Sequence, residues 1–316
     1  AADFVEDLIW QFEKHGIADK NHDQTRKEAW KAILHEIVDN NGTTSLSCMG
    51  ILGLAINDTG IVANTKYNLS HKEVATLCNV FASGMMADAA IIYNVPLNKA
   101  DKEFFTHGGV EYSYSLSDSN SKSYRRSFIP TKANMKNKRV DYLLRVLERK
   151  GFNIDIDQAV KLLTAFWTRF FESNQIVKAV DGAYKIDVEK IMITRNAKWY
   201  ICDKCKKITI HNIENVCPAY KCNGSLHLID PDSWFKENHY YQMYRNLEIR
   251  EMKVVEHTAQ LDKDTAYNYQ KQFQRKEIDI LSCSTTFEMG VDVGTLETVF
   301  MRNMPPSPAN YAQRAG

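Results

Sequence analysis

The sequence predicts an α/β domain with a parallel sheet at the C-terminal end of the chain, preceded by a mainly α-helical region that carries a β-hairpin and a small cysteine-rich ribbon. Three observations predict this arrangement. Apolar residues recur at helical spacing through the first half of the chain. Four cysteines cluster between Cys202 and Cys222. From Val254 onward, short apolar runs alternate with one helical pattern and polar loops, which is typical of strand–helix–strand units.

Length and composition indicate an ordinary globular protein. The 316 residues correspond to about two domains, and 44% hydrophobic with 25% charged residues can bury a substantial core. Lys and Arg number 40 and Asp and Glu 39, a net charge of +1 that excludes a polycation or an acidic tail. We find no membrane-spanning run and no secretory signal, and seven cysteines, an odd number, indicate a reducing, cytoplasmic compartment. Because the chain lacks a starting Met, we expect a piece of a longer polypeptide.

Residues 1–120 are predicted to form a helical domain. Apolar residues from Phe4 to Phe12 fall on one helical face, and a second apolar stripe lies between Asp23 and Val38. Ser70 and Glu73 match a capping box before a third helix. Core packing explains these stripes, so we expect this domain to be a scaffold.

Residues 121–195 begin with a basic segment. Between Lys122 and Lys150, ten basic residues face two acidic ones, a local charge of +8. This charge predicts a surface that binds nucleic-acid phosphates, and a solvated loop leading into a helix at 139–150 is the alternative. The candidate contacts are Arg125, Arg126, Lys138 and Arg139, with Tyr124 and Phe128 as stacking groups.

A predicted helix at 157–172 is followed by a predicted hairpin at 176–187. Asp181 and Gly182 supply the tight turn between two β-compatible runs. Helices followed by a two-stranded hairpin resemble a winged helix, which is a frequent nucleic-acid-binding unit. Simple packing scaffold is the alternative interpretation of the same elements.

Residues 196–229 carry four cysteines with the spacing C-x2-C, eleven residues, then C-x4-C. Two short knuckles can direct four sulfurs at one ion, so Cys202, Cys205, Cys217 and Cys222 are predicted to hold zinc. Four thiolates leave no open coordination position, so this zinc would be structural. Lys204, Lys206 and Lys207 are expected to favour the thiolates. His211 is a less favoured ligand, and unligated cysteines in a reducing compartment are the alternative.

Residues 230–316 are predicted to form the α/β domain, incomplete where the chain stops. We expect a strand at 253–259, a helix at 265–273, a buried strand at 278–283 and a further strand at 298–301. Ligands of parallel sheets bind at the carboxyl ends of the strands. The loop at His257 and the loop from Ser284 to Asp292 should lie there.

These C-terminal residues resemble the second RecA-like domain of superfamily 2 DNA helicases. Residues 284–292 match motif V, whose Glu-x-Gly-x-Asp core is present at 288–292. Residues 311–316 match the first half of motif VI, and residues 256–260 match the segment after motif IV. Together with the cysteine cluster and Asn238-His239-Tyr240-Tyr241, the pattern is similar to the mitomycin-repair helicases and to the helicase subunit of DISARM-type phage defence.

The resemblance implies roles for individual residues. Gly290 would allow close approach near the nucleotide phosphates, and Asp292 would accept a hydrogen bond from the ribose or bridge to the partner lobe. Gln313 would position the γ-phosphate or its water. The complete resemblance-based assignments are catalytic Gln313 and Arg314, cofactor-binding Glu288, Gly290 and Asp292, and nucleic-acid-binding His257, Ser284, Thr285 and Thr286. Simple loop-stabilising roles are the alternative for the hydroxyls and for Asp292.

Two motifs that ATP hydrolysis needs do not occur in the sequence. These are the phosphate loop Gly-x4-Gly-Lys-Ser/Thr and an acidic box that holds Mg²⁺. We therefore expect a helicase or translocase fragment that cannot hydrolyse ATP alone and that works with ATP and Mg²⁺ in the complete protein. Its expected partners are DNA, as a single strand or a single/double-strand junction, the missing first RecA-like lobe, and other subunits of a repair or defence complex, without a membrane.

Two other functions are weighed against this one. The chain could be a non-enzymatic, zinc-stabilised module that docks nucleic acid or protein and keeps a degenerate RecA-like lobe. A metal hydrolase is a weaker alternative, because four thiolates would saturate the ion.

Overall fold

A computed structural model describes residues 1–19, 21–39, 42–131, 137–248, 252–258, 260–283, 298–301 and 307–308. The chain divides into two compact units, Ala1–Leu247 and Glu248–Gly316, and each is described by itself. Across these described ranges, no helix combines the length and the apolar character that crossing a membrane requires.

The first unit mixes helices with short strands. In chain order its elements are α1 (Ala2–Lys14), α2 (His22–Val38), β1 (Gly53–Ile56), α3 (His71–Ala87), β2 (Ile91–Ile92), α4 (Lys99–Glu103), β3 (Ser113–Ser115), β4 (Arg125–Ser127), α5 (Lys138–Arg149), α6 (Ile156–Phe166), β5 (Val177–Val180), β6 (Ala183–Asp187), β7 (Ile191–Thr194), β8 (Trp199–Cys202), β9 (Ile208–Thr209), β10 (Leu226–Ile229), α7 (Pro231–Trp234) and α8 (His239–Asn246). A π-helical turn, Trp167–Glu172, extends α6.

The predicted N-terminal helices are confirmed. Helix α1 ends before Gly16, whose φ of +69° suits a residue without a Cβ. Asn21 caps α2 by accepting a hydrogen bond from the Asp23 N–H. The predicted capping box opens α3: the Ser70 side chain accepts from the Glu73 N–H, and the Glu73 carboxylate accepts from the Ser70 N–H at 2.8 Å.

One hydrophobic core joins the helical and basic regions of this unit. It extends along the chain from Val5 to Val216, and α3 contributes nine buried residues to the unit. Phe128 is completely buried in this core, 4.8 Å from the Trp167 ring and 5.1 Å from the Phe171 ring between centroids. The prediction that Phe128 stacks on nucleic acid is therefore wrong, because its ring is enclosed by other aromatic side chains.

The predicted hairpin is confirmed as β5 and β6. Asp181 and Gly182 have φ of 50° and 73°, as a tight hairpin turn requires. Strand β6 also pairs with β2 and β3, so the hairpin belongs to a five-stranded sheet in the order β2-β6-β3-β4 with β5 on β6. Strands from both residues 1–120 and residues 121–195 meet in that sheet. The winged-helix assignment and the four predicted domain boundaries stay predictions.

Two smaller sheets complete the first unit. Strands β1 and β7 form an antiparallel pair. Strands β8, β9 and β10 form an antiparallel ribbon in the order β10-β8-β9, with Cys202 opposite Leu226. The ribbon carries the cysteine cluster and its core is the small apolar group around Cys202, Cys217 and Leu226.

The second unit contains β11 (Val254–His257), α9 (Lys263–Gln274) and β12 (Ile280–Cys283). The two strands are parallel, as predicted, and His257 is opposite Cys283. The loops that follow these two residues therefore start at the same edge of the sheet. Connecting parallel strands through a helix is the α/β organisation that the sequence indicates.

Two predictions for this unit are wrong. Strand β12 is not buried, since Ile280 is 46% exposed. Among the described residues of this unit, α9 is the one helix of at least eight residues that could cover the strand. Residues 298–301 form no strand, and Phe300 is 91% exposed. An apolar β-compatible run becomes a strand only where a neighbouring strand accepts its hydrogen bonds, and none of the described strands pairs with it.

Candidate metal centre and nucleic-acid cleft

The four predicted cysteines of the ribbon lie together. The Sγ atoms of Cys202, Cys205, Cys217 and Cys222 are all within 4.8 Å of one another. Cys202 and Cys222 are 3.6 Å apart and Cys205 and Cys217 are 3.5 Å apart, measured between sulfurs. A tetrahedral ion with Zn–S bonds of about 2.3 Å requires sulfurs separated by about 3.8 Å. These four thiols could therefore hold a metal ion, and their geometry fits zinc.

The ribbon backbone directs the sulfurs inward. Backbone N–H groups of Ala219 and Gly224 donate to the sulfurs of Cys217 and Cys222, at 3.5 and 3.4 Å. A Cβ at Gly224 would collide with the Cys202 sulfur and would lie 2.6 Å from the Asp203 Oδ1. Position 224 therefore requires glycine for close packing against the cysteine cluster.

Burial and hydrogen bonding set the acidity of the thiols. Burial raises the pKa of Cys205 and of Cys217. Burial would also raise the pKa of Cys222, but hydrogen bonds from the Gly224 N–H and from the other cysteines lower it to about 7. The ammonium groups of the predicted lysines are not among the main causes of these pKa shifts; Lys207 acts on Cys205 through its backbone N–H, which lowers the pKa of that thiol. A metal ion that binds here must displace protons from at least the two high-pKa thiols.

Helix α5 holds the second knuckle of the ribbon through Arg145. The guanidinium donates to the carbonyl oxygens of Cys217 at 2.7 Å, Cys222 at 2.9 Å and Ala219 at 3.0 Å. Asp141, one turn earlier, accepts from Arg145 at 2.8 Å and from the Lys221 N–H at 3.0 Å. From the sequence, Arg145 was only one of the ten cations of the basic segment. The one sequence feature that indicates a positioning role is its spacing of four residues from Asp141, which allows an ion pair on a helix.

His211 does not belong to the metal cluster found among the described residues. Burial lowers the pKa of its imidazole to about 4, and a hydrogen bond with the Leu54 backbone opposes that shift. His211 is therefore neutral at pH 7.

Acidic residues outside the basic segment neutralise part of its charge. Arg125 lies 3.3 Å from Asp118, and Arg126 lies 2.9 Å from Asp88. Lys150 lies 2.5 Å from a carboxylate oxygen of Glu73 at the N-terminus of α3. The local charge of +8 in the sequence therefore overstates the charge that this surface presents, because folding brings carboxylates to several of its cations.

The four predicted phosphate-binding residues nevertheless line one cleft. Its volume is about 1070 Å³, and its walls include residues of α3, of the basic segment and of the cysteine ribbon, together with residues of β1 and β3. The residues predicted to contact nucleic acid that line it are Arg125, Arg126, Lys138 and Arg139. Tyr124, the remaining predicted stacking residue, lines it too and is 48% exposed.

The C-terminal motif residues fall mostly outside the described part of the chain. His257 is described: it is 9% exposed, and its Nε2 lies 3.4 Å from the side-chain nitrogen of Gln270 on α9. Its contact with nucleic acid stays a prediction. Those outside the described residues are Ser284, Thr285, Thr286, Glu288, Gly290, Asp292, Gln313 and Arg314.

Comparisons with known proteins give a family match in the C-terminal region and a match to a curated protein. Residues 233–316 match the family described as helicase conserved C-terminal domain. The chain is 34% identical over 162 residues to the Druantia protein DruE of Escherichia coli (strain UMEA 4076-1). That match covers 43% of this chain and 9% of DruE, so the chain spans a small part of this relative. No solved structure matches the chain significantly.

Proposed function

We propose that this chain is the C-terminal part of an ATP-dependent DNA helicase or translocase of superfamily 2, because residues 233–316 match the helicase conserved C-terminal domain. The family match carries the proposal. The parallel pair β11 and β12 supports it, because His257 and Cys283 end side by side at one sheet edge. Open α/β sheets bind their ligands at that edge.

The motif residues supply binding and positioning in this proposal. Gly290 and Asp292 follow β12 closely in the sequence, and their role in this proposal is to bind the nucleotide, with Gln313 orienting the γ-phosphate or its water. Ser284, Thr285 and Thr286 donate hydrogen bonds to the DNA backbone without reading bases. Hydrolysis of ATP with Mg²⁺ supplies the free energy for stepping along the strand.

The first RecA-like lobe is a required partner under this proposal. The 316 residues contain neither the phosphate loop nor the acidic box, so this chain alone does not turn over ATP. In this proposal the two lobes alternately close on the nucleotide and open again, and each cycle moves the protein one step along the DNA strand. The setting we favour is phage defence, on the similarity to the Druantia protein DruE and the resemblance to DISARM-type helicases.

The metal centre has a structural role in this proposal. Cys202, Cys205, Cys217 and Cys222 would hold the zinc ion through four thiolates, which would leave no position for water or substrate. When bound, the ion would hold the two knuckles together and thereby stabilise a ribbon with a very small apolar core.

A non-enzymatic docking module is the second candidate. The missing phosphate loop and a cleft that the cysteine ribbon helps to line are the observations that favour it. The two candidates differ in whether the parent polypeptide hydrolyses ATP.

The experiment that tests the proposal measures phosphate release by the longer parent polypeptide and by the 316-residue chain, each with and without single-stranded DNA. We expect DNA-stimulated turnover from the parent and none from the chain alone. In the parent, Asp292→Asn should lower kcat by at least about tenfold, because one hydrogen-bonding carboxylate at the nucleotide is worth more than about 1.4 kcal/mol.

Asp264→Asn is the matched control, since Asp264 lies in the first turn of α9 and makes the same chemical change. A parent without DNA-stimulated turnover would favour the docking module. Turnover by the isolated chain would contradict the proposed need for a first lobe.

A further inference from the structure

The cleft in the first unit has walls from several elements that are distant in sequence. Helix α3 contributes a run of small residues, Ser83, Gly84 and Ala87. At Gly84, an added Cβ would meet only the Arg139 guanidinium among atoms within 4 Å, at 3.6 Å, so this face of the helix opens into the cleft. Small-molecule sites have volumes of about 300–1,000 Å³, and the cleft, at about 1070 Å³, is as large as the largest of them. A cleft of this size can hold a segment of a polymer.

Positive charge dominates the lining. The described residues that line the cleft include five cations and one carboxylate: Arg125, Arg126, Lys138, Arg139, Lys207 and Asp88. Asp88 is already engaged, because it accepts from the Tyr114 hydroxyl at 2.6 Å and lies 2.9 Å from the Arg126 Nε. An anion entering the cleft therefore meets a surface whose acidic group is satisfied.

The positive charge of Arg139 is not neutralised by an ion pair within the described part of the chain. Its Nε donates to the Phe81 carbonyl at 3.1 Å and its Nη1 to the Phe128 carbonyl at 3.3 Å, while the guanidinium lies 4.4 Å from the Phe128 ring centroid. Carbonyl oxygens orient the group without neutralising it. Within the described ranges, no carboxylate lies within 4.0 Å of this guanidinium. A fixed, uncompensated cation in a cleft attracts phosphate.

Exposed aromatic rings stand among these cations. Tyr124 is 48% exposed and has a φ of +52°, a conformation that bulky residues seldom adopt. Its ring packs edge to face with Tyr112, 5.8 Å between centroids, and the Arg126 guanidinium covers Tyr112 at 4.0 Å. The ribbon adds Tyr220, which is 40% exposed and lies in the knuckle whose carbonyls Arg145 holds.

We propose, relying on the function proposed above for the class of occupant, that this cleft binds a single-stranded segment of nucleic acid between the basic segment and the metal-stabilised ribbon. Arg139 and Lys138 bind phosphates, and Tyr124 stacks on a base. Tyr220 offers a second ring for a neighbouring base.

The combination of rings and cations favours this occupant over others. Bases expose their faces for stacking only when the strand is unpaired, so exposed tyrosines select single strands over duplex. An acidic peptide would use the cations but has no planar group for Tyr124. Salt-dependent binding with a contribution from stacking is the expected signature.

Fluorescence anisotropy of the metal-loaded 316-residue chain tests the inference with labelled oligothymidylate and oligouridylate, the same DNA as a duplex, and poly-glutamate as competitor. Tyr124→Ala should weaken binding of at least one single strand by about 5- to 100-fold, the range for loss of one stacked base. Tyr124→Phe keeps the ring and should bind like the unaltered chain. Lys138→Ala should lower the slope of log K against log salt by about 1.

Gly84→Phe is a second, independent variant, because its ring would project into the cleft, whereas Gly84→Ala should leave binding unchanged. Circular dichroism melts confirm that each variant is folded. The inference is overturned if the chain binds neither single strand, if Tyr124→Ala and Gly84→Phe both bind normally, or if duplex or poly-glutamate binds more tightly. If the cleft does not bind single strands but the parent still hydrolyses ATP in a DNA-stimulated way, only this inference is wrong. If the cleft binds single strands but the parent does not hydrolyse ATP, only the proposed function is wrong.

Discussion

The cysteine ribbon and the basic segment each contain many residues of similar chemistry close together in the sequence. In the folded chain the cysteines lie together, whereas the basic side chains pair with different partners. The four cysteines, all within 21 residues of sequence, end within 4.8 Å of one another, as their spacing predicts. The cations of the basic segment instead find separate partners, such as Asp88 for Arg126 and Glu73 for Lys150. A metal site is closed by ligands near in sequence, whereas surface charge depends on what the rest of the fold brings to it.

Removing a metal ligand should produce the largest effect. Cys202→Ser leaves three thiols, so we expect loss of the ion and local unfolding of β8 to β10, at a cost of several kcal/mol compared with about 10 kcal/mol or more for zinc binding in small fingers. Metal content and amide hydrogen exchange of the ribbon measure this. Cys283→Ser is the control, since Cys283 is exposed and outside the cluster. A ribbon equally protected in both variants would mean that its packing, not a metal, holds it.

Cutting the link between the ribbon and α5 should be the next largest effect. Arg145→Met removes three hydrogen bonds to carbonyls and leaves Asp141 without its cation, which should lower the free energy of unfolding by about 2–4 kcal/mol. Arg149→Met on the same helix, at an exposed position, should cost less than about 0.5 kcal/mol. Chemical denaturation compares the two. Equal losses would show that Arg145 contributes charge alone, as the sequence pattern indicates.

The pH dependence of stability should report the burial of His211. Its folded pKa of about 4 lies below the ordinary histidine value of 6.5, so the unfolded chain binds more protons between these two pH values. The stabilising contribution of the neutral imidazole is therefore complete above about pH 6.5 and is lost as the pH falls toward 4, about 2 kcal/mol of it by pH 5.

His211→Gln should flatten the stability profile between pH 7 and 5, measured by thermal or urea unfolding at each pH. His22→Gln, at an exposed position in the first turn of α2, is the control and should leave the profile unchanged. Parallel profiles for the unaltered chain and His211→Gln would mean that the imidazole is not buried in solution.

Local features of the fold could be predicted from the sequence. The helices at Ala2–Lys14 and His22–Val38, the capping box of Ser70 and Glu73, and the hairpin turn at Asp181 and Gly182 depend on residues within a few positions of one another. The same holds for the cysteine cluster. Each is decided by short-range hydrogen bonding, turn geometry or ligand spacing.

Features that depend on distant residues could not be predicted in this way. Phe128 follows a basic strand and looked available for stacking, but Phe81, Trp167 and Phe171 enclose it. The run at 298–301 has strand-forming residues without a described neighbour to pair with. Burial and strand pairing are properties of the contacts between segments, and periodicity within one segment does not contain them.

The amino-acid sequence alone predicted the clustering of the four cysteines, the resemblance of the C-terminal residues to helicases and the absence of a phosphate loop, because each depends on residue identity at short, fixed spacing. Only the tertiary structure decided that Arg145 holds the second knuckle, that Asp88 pairs with Arg126, and that Arg139 and Tyr124 line the same cleft. The physical reason is distance along the chain. Contacts between residues tens of positions apart form only when a common core brings their segments together.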